Sequence, residues 1–324
     1  MLYPFTFGPL FKERVWGGRR LETLYHKPLP AGVPIGESWE LSDRPGDVSV
    51  ITSGPLAGKD LRWLMEHHGA ELLGEAKPYA GRFPLLIKLL DAQEKLSLQV
   101  HPPAERAAAL GGEPKTEMWY IADAAPGAEL FVGLKRGTTR QDFEQKLQAG
   151  NVEECFHRVP VKAGDAMFLP SGRVHAIGAG LVIFEIQQNS DTTYRVYDWG
   201  RVGLDGKPRQ LHVSESLASI DFEDVEPQLI LPASHQAGAI SLQRLVNHPL
   251  FIVQLLTANS TATLRPLSPS RAKVLGITNG RLLVTTEDNP ALELRAGQFA
   301  LVPAAVEAEL GFEPGTSVLV AEPG

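Results

Sequence analysis

Cysteine is almost missing from this chain: Cys155 stands alone among 324 residues. An intramolecular disulfide framework is therefore excluded, and the composition fits a reducing compartment. Cys155 itself reads as a packing residue of a helical segment rather than a nucleophile. Long hydrophobic runs are missing too. No stretch approaches the ~18 apolar residues of a membrane span. The opening Met1-Leu-Tyr-Pro-Phe-Thr-Phe-Gly8 has neither the basic start nor the uninterrupted apolar centre of a signal peptide, so a cytoplasmic protein is expected. Excess positive charge is the third absence: 31 Lys and Arg against 38 Asp and Glu leave a net charge of −7. That balance lacks the basic stripe of a nucleic-acid binder. Any anionic ligand must be met by a local cluster of cations.

Turn-forming residues are abundant. With 25 Pro and 31 Gly the chain favours many short strands over long helices, and 324 residues suffice for two cores. Residues 1–58 show no helical period and predict strands and loops. Residues 59–74 carry Leu61, Leu64, Met65, Leu72 and Leu73 at helical spacing, with His67 and His68 as surface residues of that helix. Two strand-like runs separated by a polar turn from Asp91 to Lys95 fill residues 84–102, and a short helical turn follows at 104–110. Residues 117–133 predict a hairpin around Pro126-Gly127, and 138–150 a helix capped by Thr138 or Thr139 and ended by Gly150. Strand patterns return from Val159 to Ile186, a helix is expected within 210–220, and 225–240 reads as a connection.

The last part of the chain, from 239, holds repeated short β patterns and one echo. Gly164-Asp-Ala-Met-Phe-Leu-Pro170 and Gly297-Gln-Phe-Ala-Leu-Val-Pro303 share a spacing, each after a basic-small pair. The first continues to Gly172 and His175; the second has Ala305 and Ala308 at those places. If both are the same hairpin, the second has lost its histidine. The expected division is therefore 1–238 and 239–324, with the second part a smaller β-barrel or sandwich that holds no metal.

The chemistry-bearing residues converge by strand arithmetic. Gly164 to His175 follows the second motif of the cupin barrels, with Ala179 in place of its final Asn. Its Pro-Ser-Gly turn ends one strand and launches another, aiming His175 into a barrel mouth. Alternation along Leu96-Ser-Leu-Gln-Val-His101 puts Gln99 and His101 on one face, and Lys115, Glu117 and Trp119 share a face of another strand. Gln99, His101, Glu117 and His175 together offer two imidazoles, a carboxylate and an amide oxygen. That set suits Zn²⁺ and also admits Mn²⁺, Fe²⁺ or Co²⁺. A generic hairpin with an inward core histidine is the competing reading of His175 alone.

At these residues a resemblance becomes specific. LSLQVHP (96–102), KTEMWY (115–120), the run from Val174 to Asp198 and the opening KERVWGG (12–18) resemble type I mannose-6-phosphate isomerases of the short bacterial form. PLLIKLLDA (84–92) and GESWELS (36–42) are similar to the same family. The resemblance runs to Asp198 and implies a cupin fold, so the expected class is mainly β, a cupin or jelly-roll barrel with a few inserted helices, to which the echo adds a second, smaller, degenerate cupin-like β domain. It also implies one zinc per chain and interconversion of mannose 6-phosphate and fructose 6-phosphate. The implied ligands are Gln99, His101, Glu117 and His175, and the implied catalytic arginine is Arg195. HPPAERAA after His101 departs from the family pattern of an acidic residue and a lysine there.

Aldose–ketose isomerisation passes through an enediolate, so positive charge is needed where the oxyanion develops, and a base must reach the carbon. Asp191, four residues before Arg195, is the candidate base, with a solvated turn carboxylate as its plain alternative. Lys115 is the candidate for bonding substrate oxygens, against a salt bridge to Glu117. Lys88 and Arg201 are the candidate phosphate contacts. A cupin oxygenase and a sugar-phosphate-binding regulator without turnover are the competing functions. The oxygenase fits poorly with a Gln ligand beside Lys115 and Arg195.

Overall fold

In a computed structural model the structure describes residues 2–265, 267 and 269–324. The chain is mainly β. Five α-helices are interspersed among the described residues: α1 (Arg20–Tyr25), α2 (Leu61–Leu73), α3 (Ala104–Ala107), α4 (Arg140–Gln148) and α5 (Val213–Ser219). Among these residues no helix is long and apolar enough to cross a membrane. The strands form two pairs of sheets and one minimal hairpin, β3 (Asp43–Arg44) with β4 (Asp47–Val48).

In the first pair, a six-stranded sheet runs in the order β1 (Leu10–Gly18), β2 (Ile35–Leu41), β5 (Leu85–Ala92), β12 (Leu181–Gln188), β7 (Glu117–Ala124), β10 (Ala166–Leu169). Its partner sheet runs β13 (Tyr194–Tyr197), β6 (Leu98–Val100), β11 (His175–Ile177), β8 (Glu129–Leu134), β9 (Phe156–Pro160). The second pair repeats the plan. Its six-stranded sheet is β14 (Ser234–Ala237), β15 (Ile240–His248), β16 (Phe251–Ala258), β23 (Ser317–Pro323), β18 (Lys273–Asn279), β21 (Phe299–Val302). The other is β17 (Ala262–Leu264), β22 (Glu309–Phe312), β19 (Arg281–Thr285), β20 (Leu292–Arg295). Strands β10 and β21, which carry the sequence echo, occupy the same edge position of their sheets. Each follows a glycine with positive φ, 92° at Gly164 and 77° at Gly297, a conformation that a side chain would strain.

The six-stranded sheets are covered on both faces, which explains their nearly continuous apolar strands. In β12, Val182, Phe184 and Ile186 join a cluster with Phe251, Val274 and Leu319 of the second half. Leu181 and Ile183 point the other way, with Ile121, Leu130 and Ile177, into the space between the first two sheets. Further along that inward face stand Glu185 and Gln187, both buried. The first interior is thus apolar at one end and polar at the other. The second interior is apolar throughout its cluster, including Leu275, Ala308, Leu310 and Phe312.

Local signals set the helices. Asp60 caps α2 by accepting from the Trp63 amide at 2.7 Å, and Thr139 and Asp142 form a reciprocal capping box on α4. His67 and His68 lie on the surface side of α2, where His68 pairs with Glu71 at 2.8 Å. Cys155 is buried at the end of a 3₁₀ turn.

Three expectations are corrected. The first 58 residues contain a helix, α1, which shows no period because it is six residues long and buries only Leu21. Residues 117–133 do turn around Pro126-Gly127, but β7 and β8 then enter different sheets instead of pairing. Strands β5 and β6 part in the same way. Both connections cross the layer gap, so alternation persists while the ladder partner changes. The 225–240 connection also holds β14, an exposed edge strand paired with β15.

Leu310→Ala removes a fully buried side chain from the second interior. The unfolding free energy is expected to fall by roughly 2–5 kcal/mol, measured by denaturant titration. Metal content per folded chain should not change.

Candidate metal centre and its cavity

The polar end of the first interior gathers the cluster from three strands, β6, β7 and β11, and the residue just after β6. Gln99 is the middle residue of β6 and pairs directly with His175, the first residue of β11. His101 lies two residues beyond Gln99, and Glu117 begins β7. His101, Glu117 and His175 are buried, and their ligand atoms lie within 4.8 Å of one another. His175 Nε2 is 3.3 Å from Glu117 Oε1, and His101 Nε2 is 3.5 Å from Glu117 Oε2.

The tautomers follow from the outer nitrogens. His101 Nδ1 is 2.8 Å from the Thr192 carbonyl, and His175 Nδ1 is 2.9 Å from the Arg173 carbonyl. A carbonyl only accepts, so each Nδ1 carries the proton and each neutral ring presents a bare Nε2 inward. Burial pushes the His101 pKa down to about 4, helped by the Lys115 charge. Burial likewise lowers His175, against the pull of Glu117. Burial alone would raise Glu117, but the Lys115 ammonium beside it holds it well below its ordinary value. Two imidazole lone pairs therefore face an ionised carboxylate.

That arrangement is repulsive unless a cation sits within it. His101 Nε2 and both Glu117 carboxylate oxygens are buried without a hydrogen-bond partner. Lys115 Nζ stands 2.9 Å from Glu117 Oε2, but off hydrogen-bond alignment. Ligands roughly 2.0–2.1 Å from a tetrahedral zinc are separated by roughly 3.3–3.4 Å, and each histidine nitrogen stands at about that distance from one of the two Glu117 oxygens, 3.3 Å from Oε1 and 3.5 Å from Oε2. The Gln99 amide lies 3.3 Å from His175 Nε2, and a half-turn of its end group presents oxygen to the same point. The donors present thus fit a divalent metal, and the carbonyl bonds at each Nδ1 are the supports such ligands require.

Beside the cluster opens a cavity of about 630 Å³ whose lining includes Gln99, Lys115, Asp191, Arg195, Lys88 and Arg209. Asp191 is exposed into it from the loop after β12. That loop is strapped down: Gln187 donates to the Ser190 carbonyl at 2.6 Å, and Asn189 to the Phe83 carbonyl at 2.8 Å. Arg195, on β13, pairs in register with Gln99. Its guanidinium donates to the Gln210 carbonyl at 2.8 Å, its Nε is buried without a partner, and no carboxylate lies in ion-pair contact with it among the described residues.

Of the two cations expected at a phosphate, only Lys88 lines the cavity, and its charge is already held. Nζ is 3.2 Å from Glu185 Oε2 and 3.7 Å from Glu37 Oε2. Burial works to lower its pKa, but these carboxylates raise it above the ordinary lysine value. Arg201 does not line the cavity. It pairs with Asp198 at 2.8 Å and donates to the Lys95 carbonyl. Sequence reasoning missed Arg209, which lines the cavity and donates to Asp198 Oδ2 at 2.6 Å. It also missed Arg14, Glu37 and Glu185. The signal for the last was a lone acid within the apolar run of β12.

Known proteins resemble this chain along most of its length. Residues 5–135 match the type I phosphomannose isomerase catalytic domain. A mannose-6-phosphate isomerase of Streptococcus mutans is 34% identical over 94% of this chain and 93% of its own length. The Bacillus subtilis mannose-6-phosphate isomerase ManA is 38% identical over 82% of this chain and 83% of its own. The crystal structure of the mannose 6-phosphate isomerase from Bacillus subtilis superposes with a TM-score of 0.90 at 31% identity, covering 99% of both chains. A structure from Archaeoglobus fulgidus at 21% identity shares the fold with a TM-score of 0.75. With its two-sheet cupin architecture and its buried metal-binding cluster, the chain belongs to the mannose-6-phosphate isomerase family.

Proposed function

We propose that this chain is a zinc-dependent aldose–ketose isomerase that interconverts mannose 6-phosphate and fructose 6-phosphate. The observation that carries the reading is the convergence of Glu117 with two bare imidazole nitrogens beside a cavity that holds an unpaired guanidinium, Arg195. Gln99, His101, Glu117 and His175 hold one zinc per chain; Mn²⁺, Fe²⁺ or Co²⁺ are the other ions this donor set accepts. When bound, the metal supplies positive charge and orientation to the sugar oxygens. Residues 1–238 contain this site, and the apolar interior of 239–324 supports it without a metal of its own.

In the aldose-to-ketose direction, Asp191 takes the proton from C2 of the sugar and returns it to C1. The hydroxyl proton passes from O2 to O1, so the atoms balance without any redox partner. Lys115, fixed against Glu117, bonds the sugar oxygens. Arg195 carries positive charge toward the enediolate oxygen and costs no reorganisation, because its neighbours already hold it. The cavity-lining Arg209 and Lys88 already answer carboxylates, so neither is a free counter-charge for phosphate.

Incubation of the zinc-loaded protein with mannose 6-phosphate should yield fructose 6-phosphate, with loss on chelation and return on adding zinc. Sugar-phosphate binding without product would instead make the protein a binding module. His175→Ala is expected to weaken zinc binding more than tenfold, since even changes behind the ligands cost about 10–100-fold; full turnover by the chelated variant would contradict the ligand set. Arg195→Lys and Arg195→Ala should each lower kcat by about 10²–10³-fold, because lysine keeps the charge but loses the planar fork. Zinc content should stay unchanged. A rise in KM alone would make Arg195 a phosphate grip rather than an oxyanion donor.

A further inference from the structure

Four buried side chains form one row across four neighbouring strands. Trp39 of β2 registers with Lys88 of β5, Lys88 with Glu185 of β12, and Glu185 with Trp119 of β7. The row lies one inward step from the metal cluster, because Trp119 and Glu117 share a strand face. The Lys88 ammonium sits 5.0 Å from the Trp39 ring and 3.2 Å from Glu185 Oε2. The other Glu185 oxygen accepts from the Trp119 indole N–H at 2.9 Å. The Trp119 ring in turn meets His175 edge-on, with centroids 5.3 Å apart and planes at 87°. Glu185 is only 4% exposed, and both of its oxygens are engaged.

A buried carboxylate is expensive unless it is paired, and apolar residues of like size would fill this row. Lys88 already has a second carboxylate, Glu37, at 3.7 Å, which itself accepts from Arg14 and from Trp39. Glu185 is thus the nearer counter-charge of Lys88 through one oxygen, which leaves its other oxygen for a second task. Its distinct task is at the indole. The terminal torsion of a tryptophan is broad, and the bond to Glu185 fixes the ring at one setting. That setting makes the ring a wall for His175, whose Nε2 must point at Glu117.

We propose that Glu185 is a positioning residue of the metal centre, acting through Trp119 to hold His175 in its ligating orientation. The inference rests on the reading of the cluster as a zinc site. Zinc affinity, measured by chelator competition on stripped and reloaded protein, tests it without reference to turnover. Glu185→Gln keeps an oxygen for the indole and should stay within about threefold of the parent affinity. Glu185→Leu and Trp119→Phe should each weaken zinc by roughly tenfold. Their double variant should be no weaker than the worse single one, because both break the same link. Trp119→Phe leaves the Lys88 ion pair intact, so it carries the test even where Glu185→Leu fails to fold. Parent-like affinity in Trp119→Phe, equal weakening by Gln and Leu, or additive losses would overturn the proposal. Failure of the zinc reading itself would appear differently, as a parent protein that binds no zinc.

Discussion

The site depends on one electrostatic constraint: an ionised carboxylate, Glu117, buried opposite two imidazole nitrogens that both present lone pairs. The backbone enforces it. The Thr192 and Arg173 carbonyls each occupy the outer nitrogen of a histidine, so neither ring can turn a proton toward the carboxylate while it remains neutral. Burial keeps both rings neutral, and the Lys115 ammonium keeps the carboxylate charged. A cation resolves all of these conflicts together. The two carbonyl bonds thus leave each Nε2 free to face a metal.

The surrounding fold makes that constraint tolerable. Strand β12 is the hub: it pairs along its whole length with β5 and β7, so its inward residues meet both neighbours in fixed register. Because the opposite face of the same sheet is sealed by the second half of the chain, the strand cannot slide or turn over without exposing Phe184 and Ile186. Register that secures the apolar face secures the polar one as well. Glu185 and Gln187 are therefore placed by residues that touch neither substrate nor metal. The second half repeats the strand order but fills its interior with side chains such as Ala308 and Leu310, and no second group of metal-ligating residues occurs among the described residues.

Much of the site was legible in the sequence because strand alternation is strict. Alternation puts Gln99 and His101 on one face and Lys115, Glu117 and Trp119 on another, and the structure brings the two faces together. The G-x₅-P echo likewise marked equivalent edge strands, β10 and β21. What alternation cannot reveal is which sheet a strand joins. The turn after Ala124 reads as a hairpin in sequence and the one after Ala92 as a polar turn between two strands, yet each hands the chain to the opposite sheet. The partners of charged residues were equally hidden. Charge alone points to Lys88 and Arg201 for a phosphate, whereas Glu185, Glu37 and Asp198 reach them from distant parts of the chain or across a tight turn. Arg195 kept its freedom because its hydrogen-bond acceptor is a backbone carbonyl.

The central claim is that this buried cluster exists to hold one cation, through nitrogen and oxygen donors. X-ray absorption spectroscopy on chelator-stripped protein given a single equivalent of zinc tests it most directly. The account predicts a four-coordinate or five-coordinate shell of nitrogen and oxygen at about 2.0–2.1 Å, with outer scattering from two imidazole rings. A sulfur scatterer near 2.3 Å, which would place the metal at Cys155, or a shell without imidazole scattering would contradict it.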